Sequence, residues 1–320
     1  MRITPLDLSG GVVAVHAHPD DETLTSGGLL AQCARNGVPV TLVTCTRGEQ
    51  GEVIGEDPLA LEGNPSALGI FRESELAAAL QELGVTDHLF LDEIEAMRTQ
   101  TSPTTRYCDS GMAWVAGGSS FSSAAQLPDS VPDNALVSFP IDVLAASLAD
   151  VIEDRNPAYV VTYEPGGGYG HPDHIRAFEM SRRACELIVE RGLEPPLLLS
   201  AVIPQEFALA GRSVMHEQAQ AGLLRNDGYV PELSDAFAAV SSHDLQDVLC
   251  VDVRPVFDQV VAALRAHATQ VQWVTAWDAV RVREPHNNDA YGQAAVLGAY
   301  ALSNNVYAPL FSHEYYVALA

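Results

Sequence analysis

The stretch GVVAVHAHPDDETLTSGG, residues 11–28, runs from an apolar segment straight into two histidines and three consecutive acids. Pro19 has no amide hydrogen and restricts His18 to extended geometry, so a strand must end there. The acids that follow suit the start of a helix, where side-chain oxygens cap free N–H groups and the dipole favours negative charge. The reading predicts a helix beginning near Thr25. His18 and Asp21 lie three apart across the turn, close enough to hold one ion, and Asp20 between them points elsewhere. An imidazole at the positive end of a helix is electrostatically poor unless it is neutral or bound to metal, so capping alone does not account for the cluster.

Working outward, β-rich runs recur at 11–16, 39–46, 87–91, 158–163, 197–203 and 247–253, and helical spacing occupies 72–83, 140–154 and 255–268. Near-continuous apolar strands alternating with amphipathic helices predict an α/β fold, Rossmann-like, with a mostly parallel sheet covered by helices on both faces. Ligands of such folds sit beyond the carboxyl ends of the strands. Residues 1–203 read as the core, and 204–320 as a C-terminal part that completes the sheet and the cleft within a single structural unit. Residues 204–246 mix short helical and turn signals and suggest a small C-terminal subdomain. Residues 92–139, rich in Ser, Thr, Gly and Pro, read as a long irregular connection, of the kind that is usually functional or disordered.

Composition narrows the chemistry. The chain has 320 residues and a formal charge of -25, and all 17 of its basic residues are arginine. With no lysine there is no Schiff base, no P-loop lysine and no pyridoxal phosphate attachment. So negative a field repels polyphosphates, which makes nucleic acid and anionic membranes poor partners and a neutral small molecule a good one. No apolar stretch approaches the roughly 20 residues of a membrane span, and the N-terminus lacks a signal-peptide pattern, so the cytoplasm is expected. The 5 cysteines form no C-x-x-C pair and suit reduced thiols. Cys33, Cys45, Cys185 and Cys250 read as small core residues, with Cys108 the exception. Oligomeric state is not readable.

A second cluster decides the reading: TYEPGGGYGHPDHIRAFEM, residues 162–180, again follows an apolar strand and precedes a helical pattern. Pro172 fits a first helical turn, with His171 at the cap and His174 one turn inward. Two His-Pro-Asp sequences at strand carboxyl ends of one parallel sheet can meet in space. Two histidines and one carboxylate are the usual protein share of a catalytic zinc site, and His18, Asp21 and His174 supply them. Asp20 is then free to act as general base toward a metal-activated water. His171 is placed to serve the oxyanion and the leaving group, with Asp173 holding it protonated and oriented. Imidazole and carboxylate accept Zn2+ or Fe2+ alike.

With H-P-D-D after the first strand and H-x-x-H before a later helix, the chain resembles the LmbE-like, or PIG-L, zinc N-deacetylases. The similarity is strongest to the branch that deacetylates an N-acetylglucosaminyl-inositol in mycothiol biosynthesis. It rests on VTCTRGEQGEVIG (43–55), RYCDSGM (106–112), GGYGHPDH (167–174), RAHATQV (265–271) and the ending from ALSNN to HEYYVAL (301–319). The resemblance implies the same ligands, the same base and the same role for His171. It adds Tyr169 as a mobile residue assisting at the carbonyl, and Arg72, Asp109 and Glu52 as sugar or inositol contacts. It implies a zinc hydrolase of a small neutral glycoside that releases acetate. Two sister branches share the metal site, the mycothiol S-conjugate amidases and the bacillithiol-pathway deacetylases that act on a malate glycoside. The amidases carry a lysine where this chain has Thr25. Residues 113–134 and Cys108, where an arginine is more usual, depart from the branch pattern and bear on recognition of the aglycone.

Overall fold

A computed structural model describes residues 1–55, 61–94, 106–114, 125–235, 241–242, 244–281 and 295–319. In chain order the strands are β1 (Arg2–Pro5), β2 (Val12–His16), β3 (Val40–Thr44), β4 (Asp87–Phe90), β5 (Ala113–Trp114), β6 (Ala125–Gln126), β7 (Tyr159–Tyr163), β8 (Leu197–Pro204), β9 (Ser241–Ser242), β10 (Asp247–Asp252), β11 (Gln272–Arg281), β12 (Ala295–Ala301), β13 (Tyr307–Phe311) and β14 (His313–Leu319). The principal helices are α1 (Asp21–Arg35), α2 (Pro65–Leu83), α3 (Ile141–Arg155), α4 (Pro172–Glu190), α5 (Gln205–Gln220) and α6 (Phe257–Ala266).

Among the described residues the main sheet has 9 strands, ordered β1-β10-β14-β8-β7-β2-β3-β4 with β9 against β8. β2 pairs in parallel with β3 on one side and β7 on the other. The chain therefore runs outward from β2 through β3 to β4, returns, and continues outward the other way through β7 to β8. That reversal is a topological switch point, where the two βα turns splay apart and leave a crevice. The two His-Pro-Asp sequences follow β2 and β7, so the topology brings them to one crevice.

Side-chain alternation along the strands divides the core. Val13 and Val15 point to the face covered by Leu144, Leu148 and Ile152 of α3 and Ala177, Met180 and Ala184 of α4. Ala14 points to the other, under Leu30 of α1, Leu76, Leu80 and Leu83 of α2 and Val261 and Leu264 of α6. α2 is capped by the Asn64 side chain, which accepts from Ala67 N–H, with Pro65 in its first turn.

The C-terminal part contributes in two ways. β14 enters the main sheet antiparallel between β10 and β8. The strands β11, β12 and β13 form a separate antiparallel sheet. Residues 204–246, read as short helical pieces, contain instead the 16-residue helix α5, whose Phe207, Val214 and Met215 pack with Val296, Ala299 and Tyr307. It can lie that close because position 211 has no side chain: a Cβ on Gly211 would stand 2.6 Å from the Phe311 ring.

Two expectations change. α1 starts at Asp21, four residues ahead of Thr25, because the Asp20 carbonyl already accepts from Thr23 N–H and Leu24 N–H. Cys185 is half-buried, like Cys108, whereas Cys33, Cys45 and Cys250 are core residues. Of the connection 92–139, residues 95–105 and 115–124 lie outside the described residues. The rest includes the short β5–β6 pair and a bridge from Cys108 to Ala135. Among the described residues no helix is long and apolar enough to cross a membrane.

Candidate active site

β2 ends at His16, and the chain turns through Pro19 into α1 with Asp20 at φ 117° and ψ -34°. A non-glycine residue there costs of order 1–3 kcal/mol and persists only where its surroundings enforce it. Asp20 occupies the N-cap position, yet its carboxylate makes no capping hydrogen bond. It lies instead 3.4 Å from Nη2 of the buried Arg72. Burial pushes the Asp20 carboxyl up to about 7, against the downward pull of that guanidinium.

His18, Asp21 and His174 converge. Asp21 Oδ2 accepts from the His18 backbone N–H at 2.9 Å, and lies 3.1 Å from His18 Nδ1 and 3.3 Å from His174 Nε2. The partners of each ring assign its tautomer. His174 Nδ1 stands 3.2 Å from the Gly167 carbonyl, which only accepts, so Nδ1 carries the proton and Nε2 presents a lone pair. His174 Nε2 is buried with no hydrogen-bond partner. His18 Nε2 faces two acceptors, Asp173 Oδ2 at 3.3 Å and Asp109 Oδ1 at 3.5 Å, so it too is the protonated nitrogen. Two imidazole lone pairs thus aim at one carboxylate oxygen, an arrangement that is repulsive unless something positive lies among them. Burial works against a charged His18, but Asp109, Asp173 and Asp21 outweigh it and raise its pKa well above the usual histidine value. A divalent cation answers the same need as that proton, with a ligand set that suits it.

His171 and Asp173 differ from the expected arrangement. The Asp173 carboxylate is fully buried and takes the Ser110 N–H at 2.9 Å as well as facing His18 Nε2. What reaches His171 is the Asp173 backbone N–H, which donates to His171 Nδ1 at 3.2 Å as the N-cap bond of α4. Asp173 therefore orients His18 rather than His171. Burial first, then His174 and His18, lower the His171 pKa well below its usual value, so the ring is neutral rather than held protonated. With Nδ1 accepting, Nε2 is the nitrogen that carries hydrogen.

The remaining candidates line the surroundings. Tyr169 is half-buried with its ring 5.9 Å from His171 and 5.3 Å from His174. Arg72 donates to the Gly48 carbonyl at 2.7 Å and to the Pro19 carbonyl, so it ties the loop after β3 to the loop after β2. Asp109 is buried, accepting from Gly111 N–H at 2.8 Å and Gln50 N–H at 3.2 Å. Glu52 is exposed, and its carbonyl accepts from Gln270 Nε2 at 3.0 Å.

Two participants escape a reading by motif. Tyr163, the last residue of β7, stacks flat on His174 with centroids 4.1 Å apart, and its hydroxyl accepts from Ala17 N–H at 2.9 Å. Ser110 supplies the amide that fixes Asp173. The position of Tyr163 at a strand end ahead of the glycine turn was the one available signal; Ser110 had none.

The fold and the crevice define a Rossmann-like α/β protein whose switch point is lined with histidines and carboxylates. The family model described as "PIG-L: GlcNAc-PI de-N-acetylase" matches residues 13–185, spanning both clusters. The chain belongs to the PIG-L family. It is 36% identical over 96% of its length to 88% of a Saccharopolyspora erythraea protein named 1D-myo-inositol 2-acetamido-2-deoxy-alpha-D-glucopyranoside deacetylase 1. It is 35% identical over 97% of its length to 90% of the Nocardia farcinica deacetylase of the same substrate. Among solved structures, a deacetylase–teicoplanin complex aligns with 81% of this chain and 86% of its own at 20% identity and TM-score 0.46.

Proposed function

We propose that this protein is a metal-dependent N-deacetylase that hydrolyses the acetamide of 1D-myo-inositol 2-acetamido-2-deoxy-α-D-glucopyranoside to the free amine and acetate. The observation that carries the reading is the convergence of His18 Nδ1 and His174 Nε2 on Asp21 Oδ2, with the uncapped Asp20 carboxylate in the same turn. The names of the relatives support the substrate.

His18, Asp21 and His174 would hold Zn2+ or Fe2+, which when bound acidifies a water and polarises the amide carbonyl. Asp173, accepting from His18 Nε2–H, keeps that ring's Nδ1 directed inward. Asp20, with its carboxyl raised to about 7, takes a proton from the attacking water as the new C–O bond forms. Neutral His171 donates from Nε2–H to the carbonyl oxygen as negative charge gathers there, assisted by Tyr169. The protonated Asp20 then returns its proton to the nitrogen, and the C–N bond breaks to give amine and acetate. This moves the leaving-group proton from His171 to Asp20, since a ring held neutral has no second proton to give. Arg72, Asp109 and Glu52 take the sugar and inositol, with the exposed Glu52 carboxylate at the outer edge.

The test is release of the free sugar amine from N-acetylglucosaminyl-inositol, its malate counterpart and a larger S-conjugate amide, with acetate measured alongside for the two N-acetyl substrates, each with and without chelator. Chelator-sensitive acetate from the inositol glycoside is expected; no such acetate from any N-acetylglucosaminide would overturn the reading, and preference for the larger amide would move the chain to the amidase branch.

A further inference from the structure

Resting on that reading, we infer that Glu22, anchored by His267, is a positioning residue that holds Asp20 in its left-handed conformation and so aims the base.

Asp20 adopts φ 117° with no glycine to make this easy. Its own backbone N–H must find an acceptor in a buried site, and it donates to Glu22 Oε2 at 2.9 Å. The other oxygen, Glu22 Oε1, accepts from His267 Nε2 at 2.8 Å and from the Thr23 hydroxyl. Both Glu22 and His267 have 0% exposure. Glu22 thus joins a residue two positions earlier to one 245 positions later.

His267 is itself held. It follows α6, and its carbonyl accepts from Gln270 N–H at 3.0 Å and Val271 N–H at 2.8 Å, closing a tight turn. Inside that turn Thr269 donates to Glu75 of α2 twice, from N–H at 2.8 Å and from its hydroxyl at 2.6 Å. The turn at 267–271 is therefore pinned to α2, the helix that also supplies Arg72 beside the Asp20 carboxylate. A buried acid serving only as a helix-end charge would need neither a fixed acceptor for Asp20 N–H nor a histidine delivered from the far end of the chain. The Asp20 carbonyl and carboxylate have other partners in Thr23, Leu24 and Arg72, but Glu22 is the acceptor of the Asp20 N–H. Without it that N–H is orphaned, and relaxation of φ toward negative values carries the carboxylate away from Arg72 and from the position where it meets the water.

The test compares Glu22→Gln, His267→Ala and His267→Gln, reading kcat, KM, metal content and the backbone of residue 20 in a crystal structure of each variant. The amide of Glu22→Gln has one acceptor oxygen where three donors converge on two, and His267→Ala leaves Glu22 unanchored. Both are expected to lower kcat roughly 10–100-fold, the range for residues that orient a first contact, with KM and bound metal within about twofold of wild type. Residue 20 should have left positive φ. His267→Gln restores a donor to Glu22 and should recover most of the rate. Unchanged kcat in both disruptive variants, a loss seen in KM or metal content instead, or a reduced kcat with residue 20 still near φ 117°, would overturn the inference. Should Glu22→Gln not fold, the His267 pair carries the same comparison. If wild type releases no chelator-sensitive acetate, the functional reading has failed; the φ of residue 20 still reports on the inference.

Discussion

Glu314 offers a test that reads the architecture of the site apart from its chemistry. α1 is interrupted at Ser26, which has φ -144° and ψ 18°, and just beyond it the Gly28 and Leu29 N–H groups turn to a side chain. Glu314 of β14 takes both, with Gly28 N–H at 2.6 Å from Oε1 and Leu29 N–H at 2.8 Å from Oε2, and Oε2 also accepts from the Tyr316 hydroxyl at 2.8 Å. The C-terminal strand thus caps the second half of the helix whose first turn carries Asp21. Burial raises the Glu314 carboxyl from 4.5 to about 7, with the hydrogen bonds from Tyr316, Gly28 and Leu29 pulling the other way. A folded-state pKa above the unfolded one means stability is fully present below about 4.5 and is lost as pH rises through about 7. At about 1.36 kcal/mol per pKa unit, the loss between pH 5 and pH 8 is roughly 2–3 kcal/mol. Glu314→Gln cannot ionise. Urea melts of both proteins at pH 5 and pH 8 should show the variant's stability relative to wild type improving by about 2 kcal/mol at the higher pH. A difference that stays flat across that range would refute the reasoning, because it would mean the three donors hold the carboxylate charged at the lower pH as well.

Three further outcomes follow from the site. Gly48→Ala would set a Cβ 1.9 Å from Arg72 Nη1 at a φ of +66°, so thermal unfolding should show a loss of about 2 kcal/mol or more, and kcat should fall as Arg72 leaves Asp20. Asp173→Asn removes the charged acceptor at His18 Nε2, and competition against a chromogenic chelator should show roughly 10–100-fold weaker metal binding. His18→Ala removes a ligand, and elemental analysis should find metal occupancy well below wild type.

The positions of the two clusters could be read from sequence because each lies between a run of β-branched and small apolar residues and a helical pattern, with Pro19 or Pro172 at the join. A strand end and a helix start are local events. That they could meet was also readable, since both follow strands of one parallel sheet; that β2 and β7 are neighbours flanking the switch point comes from the strand pairing. What local pattern does not carry is the partner of a buried polar group. Asp173 was expected to serve His171, two residues away, but its side chain points across the crevice to His18 and Ser110. The start of α1 at Asp21 depends on the unusual φ of Asp20, and no propensity predicts a left-handed aspartate in the middle of a charged run. β14 lies in the ending 301–319, and its place between β10 and β8 is set by pairing with residues far away in the chain. The reach of Arg72 to two carbonyls likewise follows from the loop geometry at Gly48.

The central claim is that Asp20 moves the proton while His18, Asp21 and His174 hold the metal. Metal stoichiometry and kcat for acetate release, measured together on Asp20→Ala and wild type, test it most directly. The account predicts wild-type metal content with kcat lower by roughly 10²–10⁴-fold. A variant that retains near wild-type kcat, or one whose rate falls only in proportion to lost metal, would contradict it.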